Sequence, residues 1–275
     1  MNNKQRAYRV WQWGFYPLMI TGALTICIFL LDYLSPQYWQ FIPLSITLLC
    51  LIPINLLEKT MPYLKTWQGY HSDLALDLWR TFLIFPLASL MAQYTLKFFQ
   101  PYISINLFPG SDSIHQSPVA LVIQFVGILL LIDLFYYWVH RAFHHFKVLW
   151  YFHAIHHRSQ RVYSNNSGRF HFIEVFISGT IYFLPIYIFN IPENIITAIV
   201  TTTVITGFLE HVNIDFKAGK LNYVLNTAEL HRWHHSLDVH ESNHNFGKVL
   251  SIWDRCFGTF YFPSDKEIKN VGIEE

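Results

Sequence analysis

Charged residues are scarce in this chain, since Asp, Glu, Lys and Arg make up 13% of its 275 residues and the formal net charge is only +1. Together with 52% hydrophobic residues and a mean hydropathy of +0.26, this scarcity excludes an ordinary soluble domain. The small net charge gives no electrostatic reason to expect a nucleic-acid partner. The composition is instead typical of a protein embedded in a membrane.

Cysteine is also rare. The chain has three, Cys27, Cys50 and Cys256, and no C-x-x-C pair, which excludes a disulfide framework and a cysteine-based zinc finger. The motif H-E-x-x-H occurs once, as HESNH at 240–244, but the residues around it predict a loop and not the helix on which a zinc metalloprotease of that class carries the motif. We expect no cleavable signal peptide, because the first apolar run is long enough to span a membrane and lacks a small-residue cleavage pattern.

Four long apolar stretches approach the roughly 20 residues that are needed to cross the hydrocarbon core. They cover residues 15–34, 41–57, 78–99 and 118–139. A fifth stretch, 172–209, is broken near its middle by Pro185, Asn190, Pro192 and Glu193, which predicts a helical hairpin that spans the membrane or dips into it. We therefore predict an all-α fold, an integral membrane helical bundle with four full spans, a helical hairpin and a cytoplasmic histidine-rich helical cap.

Lys and Arg are concentrated in alternate loops between the predicted spans. Loops 35–40, 101–117 and 190–194 contain neither residue, whereas the N-terminus, the loop after the second span and the region from Arg141 onward outside the hairpin contain basic residues. Because Lys and Arg are enriched in short cytoplasmic loops, an even number of crossings places every histidine cluster on the cytoplasmic side. We expect a multi-pass protein of a bacterial inner membrane.

Histidine is abundant, with 15 residues, and one spacing occurs twice, in HAIHH at 153–157 and in HRWHH at 231–235. A random chain of this composition would contain about 0.04 such triplets. Residues i, i+3 and i+4 share a helix face, so we expect each triplet to aim its imidazoles at a single point. His140 and His144 add a pair one turn apart. Eight histidines exceed the four ligands of a structural zinc, which predicts two metal ions that share eight to ten ligands.

The histidine clusters occur in a characteristic order: HRAFH, HAIHH, RFHFIE, HVN, HRWHH and NFGKVLSIWDRCFGTF. Over residues 120–262 this order resembles the fatty acid hydroxylase and sterol desaturase superfamily of integral-membrane, non-haem di-iron oxygenases. The resemblance implies O₂-dependent oxidation of a lipid C–H bond, by hydroxylation or desaturation, at two Fe ions that Zn can replace during purification. It also implies a membrane lipid as substrate and a separate electron donor, a ferredoxin or a cytochrome b5-like protein.

Carried over by motif, the resemblance implies nine histidines that are both catalytic and metal ligands. They are His140, His144, His153, His156, His157, His211, His231, His234 and His235. His171, in the RFH element, is expected as a further metal ligand, whereas His71, His115 and His145 are expected to lie outside the site. The first box has three residues between its histidines, and fatty acyl 2-hydroxylases often have four, so this chain is less consistent with that subfamily.

Three regions are expected: an N-terminal transmembrane region with three spans over 1–117, a catalytic domain over 118–262 and a polar C-terminal tail over 263–275. Aromatic residues around the boxes, such as Tyr136 and Trp150, are expected to line a dry apolar pocket that protects an oxidising reaction. The alternative is a histidine-rich membrane protein that binds or transports metal without oxygenase activity. A transporter would place its histidines along a path across the bilayer, whereas these boxes lie at or beyond the ends of the predicted spans.

Overall fold

Long apolar helices form the N-terminal half of the computed structural model, which describes residues 3–68, 73–105, 117–268 and 270–274. Helix α1 covers Asn3–Tyr33, α2 covers Ile42–Thr60, and α3 (Leu74–Trp79) continues through a π-helical turn (Arg80–Ile84) into α4 (Phe85–Ile103). Helix α5 covers Pro118–His145. These helices form four continuous helical rods, Tyr8–Tyr33, Pro36–Thr60, Leu74–Ile103 and Pro118–His145, that are long and apolar enough to cross a membrane. The four predicted spans and a multi-pass membrane protein are confirmed.

The fifth apolar stretch forms the predicted helical hairpin. Helix α7 covers Phe172–Ile188 and α8 covers Glu193–Glu210. In the turn between them Asn190 has φ +48, a left-handed conformation that Asn adopts more easily than most residues. Helix α7 packs against α4 and α5, and α8 packs against α1 and α2. The hairpin therefore joins the four rods into one bundle.

The remaining helices are short and carry much of the histidine-rich region. They are α6 (Lys147–His157), α9 (Ala228–His234), α10 (Val239–Ser242) and α11 (Ile252–Cys256). Three 3-10 turns lie near them, at Lys65–Trp67, Ser164–Asn166 and Gly219–Tyr223. Over the described ranges the only β-type pairing is two isolated bridges, and no strand is formed. The all-α prediction is confirmed.

Helix α8 belongs to both of the large apolar clusters in the core. One face of α8, with Ile205 and Leu209, packs with residues of α1 and α2 and with the chain that follows α8. Other residues of α8, including Ile195 and Ile199, pack with α5, α7 and Val249. Because apolar burial on both sides fixes α8, its C-terminal end is a rigid base for the residues that follow it.

The segment 246–250 enters the bundle beside α5 and is held there by two buried carboxylates. Asp133 accepts the backbone N–H groups of Val249 and Leu250 at 2.7 and 3.2 Å. Asp254 accepts those of the first two residues of the segment at 2.7 and 2.9 Å. Buried backbone donors need such partners, so these two side chains fix the path of a segment with no regular secondary structure.

Candidate metal centre

Five parts of the chain bring nine histidines together. They come from the end of α5, from α6, from the residue after α8, from α9 and from the residue that follows α9. One nitrogen from each histidine falls into one of two groups, and within each group these nitrogens lie within 4.8 Å of one another. Group 1 comprises His140, His144, His153, His157 and His234, and group 2 comprises His156, His211, His231 and His235.

Each H-x-x-H-H triplet divides its histidines between the two groups. HAIHH gives His156 to group 2 and its other two histidines to group 1, whereas HRWHH gives His234 to group 1 and its other two to group 2. The expectation that a triplet aims at a single point is therefore wrong. Adjacent residues of a helix point about 100° apart, so His156 and His157 face different points. Each triplet connects the two groups rigidly.

The nitrogen atoms within each group approach one another closely. In group 1, His153 Nε2 lies 3.2 Å from His140 Nε2 and 3.0 Å from His157 Nε2. In group 2, His231 Nε2 lies 3.2 Å from His211 Nε2 and 3.1 Å from His235 Nε2. Imidazole nitrogens bind metals such as zinc at about 2.0–2.1 Å, so neighbouring ligands of one ion lie roughly 3 Å apart. The donor sets fit one metal ion in each group.

Several imidazoles of group 1 are oriented by hydrogen bonds from the ring nitrogen that faces away from the group. His153 Nδ1 donates to Glu174 Oε1 at 2.5 Å. His140 Nδ1 donates to the carbonyl oxygen of Phe246 at 2.8 Å, and His144 Nδ1 lies 3.1 Å from Asn243 Oδ1. Such bonds fix the tautomer and direct the other nitrogen toward a metal. In group 1, His144 Nε2 is also buried and has no hydrogen-bond partner among the described residues.

Two histidines outside the spans, His234 and His235, are held in their neutral form. Burial lowers the pKa of His234 to about 3, and the neighbouring His153 lowers this pKa further. Burial also lowers the pKa of His235 well below its usual value, and His211 adds to this effect. A neutral imidazole is the form that binds a metal, so His234 and His235 can bind metal near pH 7 without first losing a proton.

His171 lies outside both groups, in contrast to the expectation that it is a ligand. Its Nδ1 accepts a hydrogen bond from the backbone N–H of Ile173 at 3.1 Å, and so it caps the first turn of α7. Its ring lies 4.9 Å from that of Phe152. His145 is exposed beside the buried site. His71 and His115 lie outside the described residues.

Two residues near the site carried no signal that the sequence pattern could have distinguished. Phe170 stacks on His156 with ring centroids 4.2 Å apart, and Lys248 Nζ lies 3.7 Å from Glu210 Oε2. Both residues line a narrow cavity of about 10 Å³ that histidines of both groups also line, together with Tyr136. The sequence predicts a dry apolar pocket beside the histidines. This cavity is not fully apolar, because the ion pair of Lys248 and Glu210 forms part of its wall.

A larger cavity of about 1270 Å³ lies beside group 1. It reaches His157 and is lined by Trp150, Trp233 and parts of the segments 236–242 and 264–274. The Trp150 ring contacts His157, with centroids 5.4 Å apart. This cavity therefore reaches group 1 at a single histidine, His157.

Comparison with known proteins agrees with this geometry. The family model for fatty acid hydroxylase matches residues 125–259. An ornithine lipid hydroxylase, OlsE, of Rhizobium tropici is 34% identical over 227 residues, which cover 80% of this chain and 67% of that protein. The alkylglycerol monooxygenase of Homo sapiens is 30% identical over 153 residues, or 56% of this chain and 33% of that enzyme.

A third relative, methylsterol monooxygenase 1 of Rattus norvegicus, is 27% identical over 151 residues, which cover 54% of this chain and 50% of that protein. The chain thus spans a third of the human alkylglycerol monooxygenase and half of the rat enzyme. No solved structure matches it. The matched region contains all nine grouped histidines, and this chain belongs to the fatty acid hydroxylase family.

Proposed function

We propose that this protein is a membrane-bound, non-haem di-iron oxygenase that uses O₂ and external electrons to hydroxylate or desaturate a C–H bond of a lipid. The observation that carries the proposal is the pair of histidine groups, connected by two triplets that each contribute to both. Such an arrangement would hold two metal ions at a fixed separation. The relatives that are named as lipid hydroxylases and monooxygenases support an oxidoreductase that acts on lipids.

The nine grouped histidines are the proposed ligands, five for one ion and four for the other. Bound iron would supply the redox chemistry that activates O₂ toward a C–H bond, as in other non-haem oxygenases. Zinc binds to the same donors and is expected as a contaminant after purification. His171 is left out of the ligand set because its Nδ1 caps α7.

The chain itself orients the ligands and excludes water. Glu174 fixes the ring of His153 through its hydrogen bond, and Phe170 covers one face of His156. Eight of the nine histidines are at most 5% exposed. An oxidising site benefits from this exclusion, because water and stray protons divert reactive intermediates.

The proposed substrate is a lipid that enters from the bilayer. The rods expose large apolar side chains over most of their length, which suits contact with lipid. The named substrates of the relatives, an ornithine lipid, an alkylglycerol and a methylsterol, are all lipids. An active site between α5, α8 and the segment 246–250 is within reach of such a molecule.

Electrons are proposed to come from a separate protein, a ferredoxin or a cytochrome b5-like protein, on the cytoplasmic side of a bacterial inner membrane. The cavity beside His157 and Trp150 supports this route, because it reaches group 1 at His157. The basic loops that flank the histidine-rich region support the cytoplasmic orientation. A membrane-impermeant thiol reagent tests this orientation, as argued below.

The function is tested by metal analysis and by lipid profiles together. The full-length protein would be purified from membranes, loaded anaerobically with iron and analysed for bound iron. Two ions per chain are expected from the two groups. Lipid extracts from cells that express the wild type or His156→Ala would then be compared by mass spectrometry. A lipid heavier by one oxygen, or lighter by two hydrogens, is expected with the wild type alone.

His145→Ala is the matched control because His145 is exposed and lies beside the site without joining either group. Its lipid profile should equal that of the wild type. Wild-type protein that binds no iron after anaerobic loading, or that leaves the lipid profile identical to His156→Ala, would rule out the oxygenase. Metal binding with an unchanged lipid profile would instead favour a metal-binding protein without oxygenase activity.

A further inference from the structure

Lys248 occupies an unusual position for a charged residue. It lies at the centre of the segment 246–250, which Asp133 and Asp254 hold on either side through four backbone hydrogen bonds. Its Nζ lies 5.9 Å from the centroid of the Tyr136 ring on α5 and beside Gly207 on α8, at 3.0 Å from where a Cβ atom would stand. The fold thus places a cation between two helices, next to the metal centre.

The partner of this cation is Glu210, the last residue of α8, which directly precedes His211. The Nζ–Oε2 distance is 3.7 Å, an ion pair without a close hydrogen bond. The Glu210 side chain is 2% exposed and that of Lys248 is 16% exposed. Glu210 Oε1 is buried and has no hydrogen-bond partner among the described residues.

A buried ion pair of this kind costs stability unless its remaining donors and acceptors are satisfied. Here a carboxylate oxygen remains without a partner, and no described residue accepts a hydrogen bond from the ammonium group. A purely structural pair would be expected to close to hydrogen-bond distance. The longer distance of 3.7 Å instead leaves one donor, the ammonium group of Lys248, beside one acceptor, the carboxylate of Glu210.

This donor and acceptor face the cavity that lies between the histidine groups. Glu210 and Lys248 line it with His140 of group 1 and with three histidines of group 2. At about 10 Å³, the cavity has room for one water-sized group in this structure. The flexible side chain of Lys248 forms one wall, so movement of that side chain would enlarge the cavity.

We infer that Lys248 and Glu210 form a substrate-recognition subsite that holds an uncharged polar group of the lipid, one that offers both a hydrogen-bond donor and an acceptor, beside the carbon that reacts. A hydroxyl or an amide has this chemistry. The inference rests on the proposed lipid oxygenase and narrows its substrates to lipids with such a group near the reacting C–H bond. A methylene in the middle of an acyl chain has no such group.

Charge balance favours a neutral group over an anion. The ammonium and the carboxylate already neutralise each other, so a phosphate or a carboxylate of the lipid would add an uncompensated negative charge in a buried space. It would also have to displace Glu210, whose side chain is almost fully buried. A hydroxyl satisfies both members of the pair without disturbing it.

The test is a binding measurement with three single-chain probes that share one tail: 1-hexadecanol, hexadecyl methyl ether and hexadecyl phosphate. The ether accepts a hydrogen bond but cannot donate one to Glu210, and the phosphate is an anion. The thermal shift of the full-length, iron-loaded protein in detergent would be titrated with each probe. We expect the alcohol to bind about fivefold more tightly than the ether, since one net hydrogen bond is worth on the order of 1 kcal/mol.

Four variants identify the origin of the preference. Glu210→Met removes the acceptor of the hydroxyl proton and should bind the alcohol and the ether equally. Lys248→Met removes the donor that both probes use, so it should weaken both and keep the preference for the alcohol, and Lys248→Arg should bind both as the wild type does. Lys220→Met is the matched control, because Lys220 is exposed on a 3-10 turn and does not line the cavity, and it should behave as the wild type. Bound iron reports whether each variant has kept the metal centre.

Equal binding of the alcohol and the ether to the wild type would overturn the subsite, as would a preference for the alcohol that survives in Glu210→Met, unchanged binding of both probes to Lys248→Met, or a tighter binding of the phosphate. These results are separate from the test of the oxygenase. An oxidised lipid without an alcohol preference would remove the subsite alone, whereas an alcohol preference without any oxidised lipid would remove the proposed reaction alone.

Discussion

His153 Nδ1 donates a hydrogen bond to Glu174 Oε1 across 2.5 Å, and both side chains are almost fully buried. The pair joins the second histidine box to the first turn of the hairpin helix α7. Because the bond leaves Nε2 of His153 directed into group 1, the hairpin and the metal centre are structurally coupled.

Glu174→Gln and Glu174→Ala are expected to weaken this coupling. Loss of the partner of a ligating histidine typically lowers metal affinity or activity about 10- to 100-fold, with the alanine variant at the upper end. Bound iron and the yield of oxidised lipid measure the effect. Glu193→Gln, at the exposed start of the other hairpin helix, should change neither. Iron content and turnover in Glu174→Ala that equal those of the wild type would contradict the role of Glu174 in orienting His153.

The consecutive residues His144 and His145 offer a sharp comparison within one box. His144 belongs to group 1, whereas His145 is exposed and belongs to neither group. His144→Ala should remove a metal ligand and reduce turnover roughly 100-fold or more, beyond the loss of an orienting partner. His145→Ala should retain iron and turnover. The assignment of group 1 would be wrong if the two variants behaved alike.

Asp133 is expected to matter for stability although it touches no histidine. Asp133→Ala would leave the buried N–H groups of Val249 and Leu250 without acceptors, at a cost of about 1–3 kcal/mol for each unsatisfied group. The midpoint of thermal unfolding in detergent should fall accordingly. Asp265→Ala, on the exposed tail, is the control. An unchanged midpoint in Asp133→Ala would show that the segment 246–250 is held by other contacts.

The sequence was sufficient to predict the elements and most of the residues that the structure gathers. Apolar runs of about 20 residues predict the spans, and the broken run predicts the hairpin because Pro and Asn interrupt a helix. The repeated histidine spacing predicts which imidazoles come together, and nine of the ten expected ligands do so.

The division of the triplets between two groups could not be predicted, because it depends on how α6 and α9 face each other across the site. The same limit applies to Lys248. A single Lys beside a Gly in the segment 246–250 has no distinguishing pattern, and its role depends on contacts with α5 and α8 that are distant in sequence. His171 is the opposite case. The motif predicts a metal ligand, but a local hydrogen bond to the first turn of α7 accounts for the position of its ring.

The native cysteines allow the orientation to be tested without new labelling sites. Cys256 is exposed at the end of α11, whereas Cys27 and Cys50 are buried within spans. A membrane-impermeant maleimide should label Cys256 in inside-out membrane vesicles and not in intact cells. Cys256→Ser should abolish the labelling of the inside-out vesicles. Labelling from the outer side of intact cells would place the histidine-rich region on the other side of the membrane.

Gly168 precedes the RFH element and packs against the π-helical turn between α3 and α4. A Cβ at this position would lie 2.7 Å from Thr81 Cα and 2.8 Å from Thr81 Oγ1, and Thr81 Oγ1 itself donates to the carbonyl oxygen of Asn165 at 3.0 Å. Because a backbone atom cannot move aside as a side chain can, Gly168→Ala should destabilise the protein by about 1–3 kcal/mol.

Gly127→Ala is the matched control for this last substitution. Gly127 lies within α5, and apart from its chain neighbours and the backbone of its own helix no described atom lies within 4 Å of its Cβ position, so alanine should be neutral or should stabilise the helix by about 0.5–1 kcal/mol. Thermal unfolding in detergent compares the two variants. Phe170 lies two residues after Gly168 and stacks on His156. Because a backbone shift at Gly168 would move this ring, Gly168→Ala should also lower iron retention. A Gly168→Ala protein as stable as Gly127→Ala would refute the close approach at Thr81.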